Sequence, residues 1–343
     1  MRAAVYSSLG DSSVLDVVDR DVPEPHWGEV RVRLAVAGVN PTDWKFRAGA
    51  TASELPFPEI VPGQDGAGVV DAVGNGVSGV SVGDRVWVLL AQHDHPIGTA
   101  AEYTVVPADQ AVRLPGSASY DVGASLGVPA MTAHRALTVG EGGPTRLKPE
   151  ALDDRIVLVT GGAGAVGHAA IQLAVWAGAT VVTTVSNDEK AALARAAGAY
   201  HVVNYQTGDA AAEIREIAPD GVDTVVDVAI ISNVDLATRV LKPRGTVAAY
   251  ANTGGTEVTL PVRDLMRLNA RLQFILLYTV GEEAALAAIE DLTAAVTDGA
   301  LEVGEEHGLP LLRFPLEETA AAHDAVENGA VGKVLIDVAD LED

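Results

Sequence analysis

Residues 156–185 read IVLVTGGAGAVGHAAIQLAVWAGATVVTTV, and this stretch decides the fold of the chain around it. A β-branched run, Ile156 to Thr160, stops at a pair of glycines, and an Ala-rich segment from Val166 to Trp176 follows with apolar residues at helical spacing. Gly178 closes that helix, and Thr180 to Val185 is again continuously β-prone. The pattern predicts a β-α-β unit, the building block of a doubly wound α/β domain.

The turn between this strand and helix matches the pattern GxGxxG at Gly162, Gly164 and Gly167. Such a turn uses glycine for a tight bend, for close approach of a pyrophosphate to the backbone, and for close packing of helix on strand. Free N–H groups at the start of the helix then form an anion site. We therefore expect a dinucleotide to bind here, through the following residues: Ala163, Gly164, Ala165, Val166 and Gly167.

The composition limits the class of protein. At 343 residues the chain is long enough for two domains, and without cysteine it offers no disulfide, thiolate nucleophile or cysteine-bound metal centre. The N-terminus lacks the apolar run of a signal peptide, and no stretch of about 18 apolar residues occurs. These features predict a cytoplasmic protein that does not bind membranes.

The net charge is strongly negative, −24 at pH 7, and comes from 47 acidic residues spread along the chain. Such a field repels nucleic acid, so we expect no nucleic-acid partner. Lysine contributes only five of the 23 basic residues. An acidic, lysine-poor surface is typical of proteins from salt-loaded (halophilic) cytoplasms, where salt screens the repulsion, and an acidic surface without salt adaptation is the alternative.

The pattern of predicted elements changes once along the chain. Up to about Ala124, short β-prone segments alternate with Gly and Pro, which predicts a largely antiparallel β domain. From Ser125 onward, Ala-rich helical segments alternate with β runs, which predicts a doubly wound parallel sheet. A strand-like run, Gln273 to Tyr278, then leads into a long helix and a closing strand.

The end of the second strand of the unit decides which dinucleotide binds, because NAD sites usually place a carboxylate there against the ribose 2′-OH. This strand ends at Ser186, whose small side chain leaves room for a 2′-phosphate, and the ammonium of Lys190 can reach that phosphate. These residues favour NADPH as the cofactor. The alternative is Asp188 as the ribose ligand, but Asp188 and Glu189 also suit the first turn of the next helix.

Several other segments are informative as a set. They are GVNPTDWK (38–45), PGQDGAG (62–68), GDRV (83–86), MTA (131–133), NY (204–205), LKPRG (241–245) and GK (332–333). Together with the glycine turn, they resemble the medium-chain dehydrogenase/reductases over nearly the whole chain, specifically the zinc-free quinone oxidoreductase and enone reductase branch. The resemblance implies an α/β protein with a GroES-like catalytic domain (1–124 and 269–343) and a Rossmann NADP-binding domain (125–268).

The resemblance also bears on metal binding. The positions that hold a Cys and a His zinc ligand in zinc-dependent relatives are Asn40 and Gln64 here, and neither amide replaces a thiolate or an imidazole for Zn²⁺. We therefore expect no metal. His93 and His95 form one other candidate pair, but they lie in a polar loop without a third well-spaced ligand.

Individual roles follow from the same resemblance. Asn40 is expected to line the nicotinamide end of the cleft as a catalytic residue. Lys45, at a position often held by Tyr, is expected either to donate to the substrate or cofactor or to be a surface lysine. His134 is expected to be a helix residue rather than a catalytic acid. The further implied cofactor contacts are Thr132 at the nicotinamide ring, Tyr205 near the 2′-phosphate or adenine, Phe274 and Ile275 at the carboxamide, and Lys333 at the closing of the cleft.

The expected chemistry follows from the missing metal ligands. Oxidation of a simple alcohol develops alkoxide-like charge, which needs a Lewis acid or a matched base. A quinone or an α,β-unsaturated carbonyl accepts hydride through its own conjugation, and its oxygen needs only hydrogen-bond donors. We expect an NADPH-dependent quinone or enone reductase, assembled as a homodimer or a dimer of dimers through the strand at Gln273–Tyr278. A non-catalytic NADPH-binding protein, a role known in some lineages of this family, is the alternative.

Overall fold

A computed structural model describes residues 1–341 of the chain. They form two compact units, one made of Met1–Val128 with the described part of Leu311–Asp343, and the other of Pro129–Pro310. Each unit is built on one large sheet. None of the helices within residues 1–341 combines the length and the apolar character that a transmembrane span needs.

The elements are numbered in chain order. The strands are β1 (Arg2–Val5), β2 (Asp16–Asp19), β3 (Glu29–Val39), β4 (Asp65–Val73), β5 (Arg85–Val88), β6 (Tyr103–Pro107), β7 (Ala111–Arg113), β8 (Ile156–Thr160), β9 (Thr180–Val185), β10 (His201–Asn204), β11 (Val222–Asp227), β12 (Leu241–Ala249), β13 (Arg271–Phe274), β14 (Leu311–Pro315) and β15 (Lys333–Asp337). The helices are α1 (Pro41–Arg47), α2 (Tyr120–Gly123), α3 (Met131–Leu137), α4 (Ala165–Trp176), α5 (Asp188–Ala196), α6 (Ala210–Ile217), α7 (Ile230–Val240), α8 (Val262–Leu268), α9 (Glu282–Thr297) and α10 (Thr319–Glu327).

The first unit is a mixed, mostly antiparallel β structure, as predicted. Its main sheet has the order β14-β15-β3-β4-β5-β7, with β6 also paired to β3, and only β14 and β15 run parallel. Along β3, the side chains of Val30, Val32 and Leu34 alternate into the core and are fully buried. The long strand β3 thus organises the unit, and its end at Val39 positions the residue that follows it.

The second unit is a doubly wound parallel sheet, which confirms the predicted fold class. Its strand order is β10-β9-β8-β11-β12-β13, and every pair is parallel. The chain winds outward from β8 to β10 on one side and then returns to β11 on the other. In such sheets a ligand binds outside the carboxyl ends of the strands, at the point where the winding reverses. Here that point lies between β8 and β11.

The units differ from the predicted domains in two places. Residues 125–128 were expected in the dinucleotide-binding domain and lie in the first unit, and residues 269–310 were expected in the β domain and lie in the second unit. β13 continues the parallel sheet, with Leu272 opposite Val247, and α9 packs on α3. A strand followed by a helix fits either domain in sequence, and only the pairing partner of β13 decides. Residues 342 and 343 of the predicted β domain lie outside the described residues.

Candidate active site

The cradle expected to hold a pyrophosphate lies between β8 and α4 in the second unit. The first bond of α4 runs from the N–H of His168 to the carbonyl oxygen of Gly164, at 2.8 Å. The N–H groups of Ala165, Val166 and Gly167 come before that bond and therefore have no acceptor within the helix, and Gly164 supplies no side-chain cap. They form the positive end of the helix, which suits an anion. The predicted contacts occupy this turn: Ala163 is buried, Gly164 is exposed, and Ala165, Val166 and Gly167 begin the helix.

The three glycines of the motif fall into two kinds, two that are needed for close packing and one that faces open space. A Cβ on Gly162 would lie 2.2 Å from the hydroxyl oxygen of Thr183, and one on Gly167 would lie 2.4 Å from the carbonyl oxygen of Gly161. Both positions therefore serve packing of the turn against the sheet and the helix. A Cβ on Gly164 would meet nothing closer than 3.5 Å. Gly164 leaves open space in front of the helix, as a backbone that receives a ligand requires.

The corner expected to choose between NADPH and NADH lies at the end of β9. Ser186 follows the strand and is half-buried. The side-chain oxygen of Asn187 accepts the N–H of Lys190 at 2.9 Å and so caps α5. Lys190 therefore sits in the first helical turn with a half-buried side chain, whereas Asp188 is exposed at the first helical position.

Tyr205 lies at the same edge of the sheet, one strand further out. Its N–H donates to the carbonyl oxygen of Val185 at 3.1 Å, and its side chain is 49% exposed. Because parallel strands end at one edge, Tyr205, Ser186 and Lys190 share the carboxyl edge that carries the glycine turn. The fold therefore brings the predicted adenosine-end residues to one side of the sheet.

The other predicted cofactor contacts of the second unit are spread further. Phe274 ends β13 at the opposite side of the sheet and is largely exposed, while the N–H of the buried Ile275 donates to Ala249 at 2.8 Å. Both line a cavity of about 300 Å³. Thr132 is buried in the first turn of α3, a helix that packs on α4.

In the first unit, the predicted catalytic residue Asn40 belongs to a buried polar cluster. The ammonium nitrogen of Lys333 donates to Asn40 Oδ1 at 2.8 Å, and Asn40 Nδ2 donates to Asp65 Oδ2 at 2.7 Å. The ammonium also lies 3.7 Å from Asp65 Oδ2. Lys333 is only 1% exposed, and Asn40 and Asp65 are equally well buried. The chain thus brings together two residues, Asn40 and Lys333, to which the resemblance gave separate roles.

Burial perturbs every ionisable group of this cluster. Loss of water raises the pKa of Asp65 and lowers that of Lys333, although the two opposite charges partly offset both shifts. Asp43, on α1, accepts the N–H of Asn40 at 2.7 Å. Burial raises the pKa of Asp43 to about 7, and the nearby charge of Asp65 acts in the same direction.

The local sequence explains how the cluster is assembled. Asn40 directly follows β3 and precedes α1, which begins with Pro41, a residue suited to the first helical position. Gly38 makes room for the lysine: a Cβ there would lie 3.0 Å from Lys333 Nζ and 2.2 Å from the carbonyl oxygen of Ala124. β15 pairs with β3 in antiparallel register, which places Lys333 at the end of β3. The sheet itself therefore holds Lys333 against Asn40.

The residues at the two zinc-ligand positions do not fit a metal. Asn40 Oδ1 faces the ammonium of Lys333, which would repel a cation, and Gln64 Nε2 donates to the side-chain oxygen of Gln92 at 3.1 Å. Within residues 1–341 no group of three His, Cys, Asp or Glu side chains is arranged to hold a metal, the loop with the predicted histidine pair included.

Two further candidates, Lys45 and His134, make other contacts. Lys45 is half-buried on α1 with its ammonium 5.9 Å from the ring centroid of Trp44, near the outer limit of a cation–π contact. His134 is buried in the second unit, where its Nε2 lies 2.8 Å from Asp291 Oδ2. The other carboxylate oxygen of Asp291 accepts hydrogen bonds from Arg146. His134 thus joins helices α3 and α9, which agrees with the prediction of a helix residue.

Sequence reasoning missed the acidic partners of Asn40. Asp43 and Asp65 were noted only as parts of the segments GVNPTDWK and PGQDGAG, and helix α1 was not expected at all. A signal for both exists in hindsight: Pro41 with Asp43 two residues later resembles a helix start, and Asp65 is a carboxylate at the beginning of an otherwise apolar strand.

Comparison with known proteins identifies the family of both parts of the chain. Residues 26–116 match the alcohol dehydrogenase GroES-like domain, and residues 165–293 match the domain described as zinc-binding dehydrogenase. A 2-haloacrylate reductase from Burkholderia is 33% identical over 94% of this chain and 94% of its own. Quinone oxidoreductase from Escherichia coli, solved with NADPH, is 25% identical, with a TM-score of 0.80 over 98% of this chain and 99% of its own.

A solved NAD-dependent alcohol dehydrogenase is also similar, at 31% identity and a TM-score of 0.86 over 99% of this chain and 100% of its own. These matches cover nearly the whole chain and therefore both units. They define an NAD(P)-dependent oxidoreductase. The chain belongs to the medium-chain dehydrogenase/reductase superfamily and, within it, to the quinone oxidoreductase branch.

Proposed function

We propose that this protein is an NADPH-dependent reductase that delivers hydride to a quinone or to the activated C=C bond of an α,β-unsaturated carbonyl compound, without a metal. The observation that carries the proposal is the cluster at Asn40, where the position of a zinc ligand holds an amide bonded to an ammonium at 2.8 Å. This cluster offers hydrogen-bond donors in place of a Lewis acid.

The glycine turn fits the pyrophosphate of the cofactor. The preference for NADPH rests on Ser186 and Lys190, because a small residue and a cation at this corner accommodate a 2′-phosphate. The similar structures include one described as NAD-dependent and one bound to NADPH, so they support either dinucleotide. The preference is therefore a property to be measured on this chain.

When bound, the nicotinamide supplies the hydride. Asn40 then donates a hydrogen bond to the substrate oxygen that gains negative charge as the electrophilic carbon accepts the hydride. A proton from solvent completes the reduced product. Thr132 and the segment at Phe274 and Ile275 orient the nicotinamide, a role that follows from the resemblance to the quinone oxidoreductases.

A substrate panel tests the proposal. NADPH consumption is measured with 1,4-benzoquinone, 2-cyclohexenone and 2-chloroacrylate, and NADPH affinity is measured separately by fluorescence titration. We expect turnover of at least one compound, a kcat loss of about a hundredfold in Asn40→Ala, and none in Asn328→Ala, an exposed helix-end asparagine. Tight NADPH binding without turnover of any compound would favour the non-catalytic alternative.

We also propose that the protein is a homodimer joined through β13. The predicted strand Gln273–Tyr278 was placed too late in the chain, because β13 spans Arg271–Phe274 and Leu277–Thr279 forms a 3-10 turn. This strand forms the edge of its sheet, and it is flanked by exposed apolar side chains, with Phe274 61%, Leu276 58% and Met266 71% exposed. An unpaired edge with apolar neighbours is suited to pair with its own copy about a two-fold axis. Sedimentation equilibrium should give twice the chain mass, and Phe274→Lys should shift the mass toward the monomer; a monomeric wild type would contradict the proposal.

A further inference from the structure

The amide of Asn40 has two chemically different ends, and each faces a partner that accepts only one of them. Lys333 can only donate, so its position 2.8 Å away requires the carbonyl oxygen Oδ1 on its side. Asp65 accepts through both of its oxygens, one from Asn40 Nδ2 at 2.7 Å and the other from the N–H of Val128 at 2.9 Å. The partners therefore fix which end of the amide points where.

We propose that Lys333 and Asp65 are positioning residues that hold the amide of Asn40 as a hydrogen-bond donor to the substrate oxygen. Asp65 uses one of the two hydrogens on Nδ2, and the second hydrogen serves the oxygen that gains charge during hydride transfer. The inference rests on the proposed function. It assigns Lys333 a role toward Asn40 rather than a contact with the cofactor.

The alternative orientation of the amide is strongly disfavoured. A flipped Asn40 would turn Nδ2 toward the ammonium of Lys333 and Oδ1 toward the carboxylate of Asp65, which replaces two hydrogen bonds by two repulsive contacts. All three side chains are almost completely buried, so water does not screen these contacts. The pair thus removes the rotational freedom that an isolated asparagine amide has.

The ammonium also strengthens the donor that it positions. A cation bonded to the carbonyl oxygen of an amide withdraws electron density from the nitrogen, because the amide is one conjugated group. The N–H groups on Nδ2 become better donors in consequence, and polarised chains of hydrogen bonds of this kind reinforce one another. Lys333 therefore acts on the substrate oxygen through Asn40 without contacting it.

The surroundings are shaped to hold both partners in place. Gly127 lies against the carboxylate, since a Cβ there would be 2.1 Å from Asp65 Oδ1. The hydroxyl of Thr99 donates to the main-chain oxygen of Asp65 at 2.7 Å. Gly38 gives the corresponding space to the head of Lys333. An ion pair buried without such support would cost stability, so the fixed geometry on both sides favours a positioning role.

The variant Lys333→Met separates this role from cofactor binding. Methionine fills the same space without a donor, and Lys148→Met, at an exposed lysine, is the matched control. We expect kcat to fall about tenfold while the Kd for NADPH stays within about twofold of wild type. A Kd that rises tenfold or more with an unchanged kcat would instead show that Lys333 binds the cofactor, and would overturn the inference.

A double-mutant cycle tests whether Lys333 acts through Asn40. If it does, adding Lys333→Met to Asn40→Ala leaves kcat close to that of Asn40→Ala alone, because the amide to be positioned is already absent. Losses that multiply in the double variant would mean that the two residues act independently, which contradicts the proposal. Should Lys333→Met fail to fold, Lys333→Gln enters the same cycle, since its shorter side chain leaves the donor out of reach of Oδ1.

A readout without turnover keeps this inference separate from the proposed function. The ¹⁵N side-chain signals of Asn40, assigned by their loss in Asn40→Ala, report its two Nδ2 hydrogens. We expect two well-separated proton shifts in wild type and exchange-broadened or converging shifts in Lys333→Met, as the amide begins to rotate. Identical signals in the two proteins would overturn the positioning role even if the enzyme reduces quinones. An inactive wild type with the expected signals would refute only the proposed function.

Discussion

The glycine turn of the second unit is formed by backbone, whereas the polar cluster of the first unit is formed by side chains. The turn is made of backbone within a few consecutive residues, and its glycines are defined by what a Cβ would strike. The cluster is made of side chains far apart in sequence, with Asn40 separated by 25 residues from Asp65 and by 293 from Lys333. A site made of local backbone can be recognised in sequence, whereas a network of distant side chains depends on the sheet that joins them.

The largest effect should come from adding single methyl groups to the turn. Gly167→Ala places a Cβ 2.4 Å from the carbonyl oxygen of Gly161, so the helix must move away from the turn. We expect a loss of several kcal/mol in the free energy of unfolding and no measurable NADPH binding. Urea denaturation and fluorescence titration measure both quantities.

Gly164→Ala is the matched control for that change. Its Cβ meets nothing closer than 3.5 Å, so the protein should keep its stability within about 1 kcal/mol. The new methyl group nevertheless occupies the space in front of the helix, and the Kd for NADPH should rise about tenfold or more. Equal stability losses in the two variants would show that the turn is not divided into packing and ligand-facing glycines.

The features that the sequence predicts are the local ones, and those that it misses depend on contacts between distant parts of the chain. The sheet of the second unit, its β-α-β unit and the glycine turn were predicted, because each is encoded by local periodicity and spacing. The segment 269–310 was misplaced, since the partner of β13 is set by tertiary pairing. Helix α1 was missed because seven residues are too few to show a helical period. Asn40 and Lys333 were named through the family resemblance, but their contact depends on β15 lying beside β3.

The next largest effect concerns Lys190, the side chain expected to select NADPH over NADH. Lys190→Ala should weaken NADPH binding by about 1.5–3 kcal/mol, or roughly tenfold to a hundredfold, and leave NADH binding nearly unchanged. The reason is that only NADPH carries a 2′-phosphate for the ammonium. Ser186→Asp should shift the preference toward NADH by offering a carboxylate to the 2′-OH.

Titration of both cofactors against wild type and both variants measures this selectivity. Lys148→Ala is the control, since this exposed lysine lies outside the predicted site. If wild type already prefers NADH, or if Lys190→Ala weakens both cofactors alike, Asp188 becomes the leading candidate for the ribose ligand. The site at the end of β9 would then resemble that of NAD-dependent enzymes.

A buried side chain of the second unit should affect stability rather than turnover. Burial lowers the pKa of His168 to about 4, and the neutral ring contacts the carbonyl oxygen of His307 at 2.9 Å. The unfolded chain binds a proton from about pH 6.5 downward while the folded chain does not, so stability falls as the pH drops from about 6.5 toward 4. Relative to pH 7, the loss at pH 5 should be about 2 kcal/mol.

His168→Gln tests this assignment. Because glutamine has no titratable group, the variant should lose less stability than wild type between pH 7 and pH 5, as measured by urea denaturation at each pH. The exposed His26→Gln serves as the control and should retain the full pH dependence. The buried His323 of the first unit, whose pKa is lowered to about 3 by burial, should account for part of what remains in His168→Gln. A pH dependence identical in all three proteins would exclude His168 as its source.

Salt should separate the electrostatics of the surface from those of the buried cluster, and it gives the smallest effect. With a net charge of −24, the folded chain repels itself, and added KCl screens that repulsion between exposed groups. Lys333, Asn40 and Asp65 are buried, so their contacts are not screened. We therefore expect the Tm to rise by a few degrees from low to molar KCl, while kcat at saturating substrate and cofactor changes less than about twofold. KCl is suited to this test because sulfate or phosphate would also stabilise the protein by exclusion from its surface.

Two outcomes of the salt experiment would contradict these expectations. A flat Tm would refute salt adaptation of the acidic surface. A kcat that changes in proportion to ionic strength would mean that the charges assisting hydride transfer are exposed to solvent, unlike the buried charges of Lys333 and Asp65.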